Sequence, residues 1–194
     1  MQVHHAGSPL PQSYLLFLGI WAGEHPAGAD EAETWRRLRG FRREGIDVFL
    51  DLTEAGERPP YAQLLRPGAR HVRVPMPAEE LPSPEGVREA IVAADRALGN
   101  GRFVYVHGAE GIERTGIVVG CWLAQWGHHF GDPVASLDDF RRGLRGPRRA
   151  SPESAAGQAF VRSWKSRSVS RSRGAKGGLR VLPAVQRATE GGSL

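Results

Sequence analysis

Residues 104–116 read VYVHGAEGIERTG, an apolar run that passes through a glycine-containing loop into the start of an apolar helix. Such a layout suits an anion. Backbone N–H groups of the loop can converge on it, the helix N-terminus adds partial positive charge, and an arginine at the loop end can grip two oxygens at once. The candidate loop comprises His107, Gly108, Ala109, Glu110, Gly111, Ile112, Glu113, Arg114 and Thr115. Cys121, the sole cysteine, lies seven residues beyond Arg114 and about two helical turns away, where a small buried core residue is expected.

The elements that must position this loop follow from apolar spacing and punctuation. Residues 14–20 (YLLFLGI) read as a short strand, and WAGEHPAGAD after it reads as a loop. Asp30 is placed to cap a helix over 31–44, with Glu33 three residues on, an apolar face of Trp35, Leu38 and Phe41, and Gly45 as the stop. Residues 46–52, 71–74 and 102–106 read as further strands. Ser83 and Pro84 start a second helix, along which Val87, Ile91, Ala94 and Leu98 fall at helical spacing. Helices are also predicted over 114–126, 133–144 and 152–165. Strands alternating with helices predict an α/β fold with a largely parallel sheet of about four or five strands flanked by helices.

With 194 residues the chain has room for one ordinary core. A single cysteine excludes an intrachain disulfide and a cysteine metal cluster, and no cofactor or metal is expected. No stretch approaches the roughly 18 apolar residues that span a bilayer, and the N-terminus lacks the pattern of a signal peptide, so a cytoplasmic location is expected. The net charge of +5 is concentrated at one end. From Arg162 onward there are eight basic residues against the single acid Glu190, whereas the first 161 residues hold 18 basic and 20 acidic ones. The expected organisation is a flexible leader over 1–13, one domain over 14–165, and a disordered tail over 166–194 rich in Ser, Arg and Gly.

The loop resembles the signature of cysteine-dependent tyrosine and dual-specificity phosphatases: His-Cys, two residues, Gly, two residues, Arg, then Ser or Thr and often Gly. His107, Gly111, Arg114, Thr115 and Gly116 match it, and Gly108 stands at the cysteine position. AGEHP near Trp21, DLTEAGE from Asp51, PMPAEELPSPE from Pro75 and SPESAAGQAFVRSW from Ser151 are similar, in order, to the blocks of bacterial dual-specificity-like members. The likeness covers about residues 14–165.

In that family the loop cysteine is a thiolate that attacks phosphorus and carries the phosphoryl group. Gly108 has no side chain with which to do this. The resemblance places the family's general-acid aspartate at Ala78, next to Glu79 and Glu80. It implies that His107 orders the loop and that Gln158 matches a glutamine that orients hydrolytic water, whereas the residues themselves read first as a buried hydrogen-bonded histidine and as helix surface or packing; Thr115 is expected to bond within the first helical turn. Glu110 and Glu113 are a further departure: pointing inward they would oppose a dianion, pairing with Arg114 they would neutralise the cradle, and radiating outward, as side chains of such loops commonly do, they would leave it able to bind an anion.

Three functions are compatible with these residues. The first is a phosphatase-like domain without turnover by the cysteine route, binding a phosphorylated protein, another anion or a partner through Arg114 and the loop amides. The second is a weak phosphatase using Glu79, Glu80, Glu110 or Glu113. The third is nucleic-acid or polyanion binding by the basic tail.

Overall fold

The computed structural model describes residues 8–16, 19–125, 131–144 and 149–164. The predicted tail over 166–194 lies outside them. Five strands, β1 (Tyr14–Leu15), β2 (Ile20–Gly23), β3 (Ile46–Asp51), β4 (Arg70–Arg73) and β5 (Phe103–His107), form one sheet in the order β1-β2-β5-β3-β4. Only β1 runs antiparallel to its neighbour. The helices are α1 (Glu31–Arg43), α2 (Pro84–Gly99), α3 (Glu113–Gln125), α4 (Pro133–Phe140) and α5 (Ala155–Ser163), with 3₁₀ turns at Ala62–Leu64 and Arg141–Gly143. The α/β architecture expected from sequence is the one observed.

Two apolar layers sandwich the sheet because side chains alternate along each strand. Val48, Leu50, Val104 and Val106 face the larger layer, filled by α2, α3, Leu137 and Val161. Phe49 and Tyr105 face the opposite layer, with Leu38 and Phe41 of α1. Ile46 also joins that second layer although strict alternation would put it beside Val48. A register shift between Ile46 and Val48 accounts for this, since the extra residue turns the strand start over.

The first predicted strand needs correcting. The run 14–20 is split into β1 and β2, and β2 continues through Trp21, Ala22 and Gly23, which sequence reading placed in a loop. Full burial of all four β2 residues by tertiary contacts overrides the loop-like Gly and His content that follows. Residues 8–13, assigned to the leader, are packed: Leu10 is buried in the aromatic layer and Ser13 bonds back to it. The fourth helix ends at Phe140, earlier than 144, as a 3₁₀ turn takes over. The fifth starts at Ala155, later than 152, because Ser154 caps it.

Capping agrees with the sequence in α1, where Asp30 accepts from Glu33 N at 2.7 Å. The Glu33 carboxylate reaches back to Ala29 N at 2.8 Å, one residue short of a reciprocal capping box. Gly45 follows at φ +75°, a left-handed stop that suits glycine. Among the described residues no helix is long and apolar enough to cross a membrane.

Candidate functional site

The C-terminal ends of the parallel strands β2, β3, β4 and β5 converge at one edge of the sheet, where open α/β sheets generally bind ligands. The loop from His107 to Glu113 joins β5 to α3 there. Its path is set by close backbone contact. A Cβ on Gly111 would stand 2.2 Å from the carbonyl carbon of Gly23, and Gly111 has φ +72°, so glycine is required twice over. His25 N donates to Ala109 O at 3.3 Å, and Ser151 Oγ donates to Ile112 O at 2.7 Å.

Gly108 opens the loop, and its N–H donates to Thr115 Oγ1 at 2.8 Å. The N–H groups of residues 109 to 114 find no acceptor among the described residues. These free donors, at the N-terminus of a buried helix, make the concavity a cradle for negative charge. A Cβ built on Gly108 would meet Thr115 Oγ1 at 3.3 Å and Arg114 Nε at 3.7 Å, so a small side chain fits there once the Thr115 hydroxyl gives by a few tenths of an ångström.

Arg114 is buried and its guanidinium is already held. Nη1 donates to Glu57 Oε2 at 2.7 Å, to Met76 O at 3.1 Å and to Leu52 O at 3.4 Å, while Nη2 donates to Glu57 Oε1. Glu57 is oriented for this by accepting from Glu54 N at 2.9 Å. The hydrogen bonds from Arg114 hold the Glu57 carboxyl below its ordinary range.

Of the two arrangements the sequence left open, the outward one is observed, and the carboxylate that meets Arg114 is Glu57. Both loop carboxylates face away from the guanidinium. Glu110 pairs with Arg149 at 2.5 Å. Glu113 accepts from Glu153 N at 2.7 Å, from Ser154 N at 3.0 Å and from Ser154 Oγ at 2.5 Å. The reason is geometric: a loop whose amides turn inward turns its side chains outward.

A cleft of about 300 Å³ lies over the loop, walled by Glu57, Ala78, Glu79, Arg149 and Glu153. Glu80 and Leu81 line an adjoining cleft of about 430 Å³, which shares Ala78, Glu79, Glu113 and Glu153 with the first. The predicted site residues 107 to 115, Ala78, Glu79 and Glu80 thus come together at one edge. Gln158 does not line either cleft, and its amide donates to Pro152 O at 3.1 Å. Cys121 is fully buried and burial pushes its thiol well up, so it is a core residue.

Beneath the loop sits a polar network that sequence reading did not assemble. The buried Asp51 accepts from Thr53 N at 2.9 Å and Oγ1 at 2.6 Å, from His71 Nε2 at 2.9 Å and from Arg73 Nη2 at 2.9 Å. Burial pushes its carboxyl upward, but the bonds from His71 and Thr53 prevail and hold it well below the usual range. His107 Nε2 lies 2.6 Å from the Tyr61 hydroxyl, and burial lowers the His107 pKa to about 3. His25 accepts from Ala27 N through Nδ1, and burial lowers it to about 4. Ligand atoms of His25, Asp51 and His107 fall within 4.8 Å of one another, as a metal would need. The Asp51 oxygens already accept from Thr53, His71 and Arg73, so in this arrangement the carboxylate serves as a hydrogen-bonded support for the loop.

Glu57, Arg149 and Glu153 at the cleft, and His25, Asp51, Thr53, Tyr61, His71 and Arg73 beneath it, are residues that local reading missed as site members. Asp51 and Glu57 do fall inside the DLTEAGE block. Arg149 has no comparable signal.

Solved phosphatases share this arrangement of sheet, loop and helix. Tk-PTP in its active form is 22% identical, with 78% of this chain and 93% of that chain covered and a TM-score of 0.60. TpbA of P. aeruginosa, solved with pTyr, is 16% identical over 82% of this chain and 88% of its own, with a TM-score of 0.58. The human tyrosine phosphatase-like serine/threonine/tyrosine-interacting protein is 18% identical over 78% and 94%, with a TM-score of 0.56. At these identities the likeness establishes the fold. Residues 24–128 match the model of the family Tc-R-P, described as "Polymorphic toxin system, DSP-PTPase phosphatase". The match spans more than half of the chain, from the turn after β2 past the end of α3, and with it the loop, Glu57 and Arg114. The chain accordingly belongs to the DSP-PTPase phosphatase family of polymorphic toxin systems.

Proposed function

We propose that this domain is a receptor in the phosphatase fold, which holds a phosphorylated or other anionic ligand in the 108–114 loop and does not hydrolyse it by the cysteine route. The observation that carries this reading is Gly108. It occupies the head of a loop whose following amides are free, so anion-binding groups are present where the attacking group is absent. The hydroxyl of Thr115 cannot substitute, since it is engaged by Gly108 N. Cys121 lies in the core.

Replacement of the nucleophile by a carboxylate finds little support. Glu110 and Glu113 are turned toward Arg149 and Ser154, and Glu57 is locked on Arg114. Glu79 remains on the cleft wall, next to Ala78.

The deciding experiment is hydrolysis of an aryl phosphate by the full chain beside its Gly108→Cys variant, with phosphopeptide binding measured on the parent and on Arg114→Ala. The reading expects no turnover by the parent, turnover after Gly108→Cys, and binding that Arg114→Ala abolishes. Turnover by the parent that is lost on substitution of Glu79 would overturn it in favour of a glutamate-dependent phosphatase.

A further inference from the structure

The charge around the cradle differs in sign from the charge within it. Among the described residues, Arg114 is matched by Glu57, and Arg149 is shared between Glu110 and Glu153. That leaves Arg149 outnumbered by two carboxylates. Glu113 is bonded only to neutral donors of residues 153 and 154. Glu79 and Glu80 are exposed and have no hydrogen-bond or ion-pair partner among the described residues. The adjoining cleft is walled by Glu79, Glu80, Glu113 and Glu153, and among the described residues no cationic side chain lines it.

An anion entering the cradle therefore crosses a rim of negative potential, which repels a bare dianion and attracts one that carries its own positive charge beside it. The two clefts share a wall, so the groove continues past the cradle for further than one phosphate group needs. Leu81, a large apolar side chain 43% exposed, also lines the adjoining cleft. An extended chain with an anionic group at one point and cationic side chains next to it matches this shape and charge.

Resting on the receptor reading above, we infer that the ligand is a phosphopeptide segment whose phosphorylated residue is flanked by lysine or arginine. The phosphate sits on the free amides of residues 109 to 114 and on Arg114 Nε. The flanking cations lie along Glu79, Glu80 and the Glu113–Glu153 wall.

The test is a fluorescence titration of the full chain at physiological salt with three labelled peptides of equal length. One carries phosphotyrosine between arginines, one carries phosphotyrosine between aspartates, and one is the arginine peptide without phosphate. The first should bind about tenfold or more tightly than the aspartate peptide, through two or three ion pairs with the rim, and about tenfold or more tightly than the unphosphorylated peptide, through the phosphate on the loop amides. The double variant E79K/E80K, altered only at exposed positions, should remove or invert the preference between the two phosphopeptides. Equal affinity for the two phosphopeptides, or equal affinity for the unphosphorylated arginine peptide, overturns the inference while leaving phosphate capture open to the Arg114→Ala test. Absence of binding by every peptide overturns the receptor reading and this inference with it.

Discussion

Glu57 grips the Arg114 guanidinium through both carboxylate oxygens, and that pair decides how the cradle meets an anion. With Nη1 and Nη2 occupied, an incoming phosphate has Nε and the loop amides, and the full fork of the arginine only if Glu57 yields.

Glu57→Gln should raise affinity for inorganic phosphate by about tenfold, because it removes a competing charge worth roughly 1 to 2 kcal/mol while keeping an acceptor for Arg114. Calorimetric titration of both proteins with phosphate reads this directly. A fall in affinity would mean that Glu57 serves to aim the guanidinium and does not compete for it.

Gly111→Ala should cost about 3 kcal/mol or more in urea denaturation, combining a left-handed backbone with a Cβ driven into the Gly23 backbone. Phosphopeptide binding should vanish even where the variant remains folded. A loss under about 1 kcal/mol would show that the loop relaxes away from Gly23 at little cost.

Stability should fall as pH drops below the ordinary histidine pKa. His25 and His107 have lowered values in the fold, near 4 and 3, chiefly through burial. The unfolded chain takes up protons near pH 6.5 while the folded chain does not, so each histidine withdraws about 2 kcal/mol of stability by about pH 5. Asp51 and Glu57 have the opposite role: their lowered carboxyls stabilise above the ordinary carboxylate range, and that share is lost at still lower pH. Melting temperature against pH measures the sum. His25→Asn should flatten the slope between about pH 6.5 and 5, and an unchanged slope would rule out its part in it.

Cys121→Ala, made on top of Gly108→Cys, should leave restored turnover unchanged and lower stability by about 1 to 2 kcal/mol through the small cavity it opens in α3's packing. Loss of turnover without loss of stability would make Cys121 a participant in the chemistry.

Much of the fold can be read along the chain, because the relevant forces are local. Asp30 before α1, Ser83 and Pro84 at α2 and Gly45 after α1 are capping signals that act within one turn, and each stands where expected. The apolar β3 and β5 runs are buried on both faces, as their lack of alternation requires. The start of the sheet was less legible. Its two short strands and the packing of Leu10 depend on contacts with β5 and α1 that sequence spacing does not encode.

The sequence by itself determined the loop's composition: an arginine and two glycines at set intervals, a threonine after the arginine, and no side chain at the position where the family carries its nucleophile. These are covalent facts about consecutive residues. Only the tertiary structure decided which carboxylate meets Arg114. Glu57 is 57 positions away in the chain and Glu110 and Glu113 are near neighbours, yet a loop that turns its amides inward must send adjacent side chains outward, and the strand order β5-β3 brings the loop after β3, with Glu57, to the guanidinium. Sequence proximity left the pairing of Arg114 open, and the tertiary structure selected Glu57.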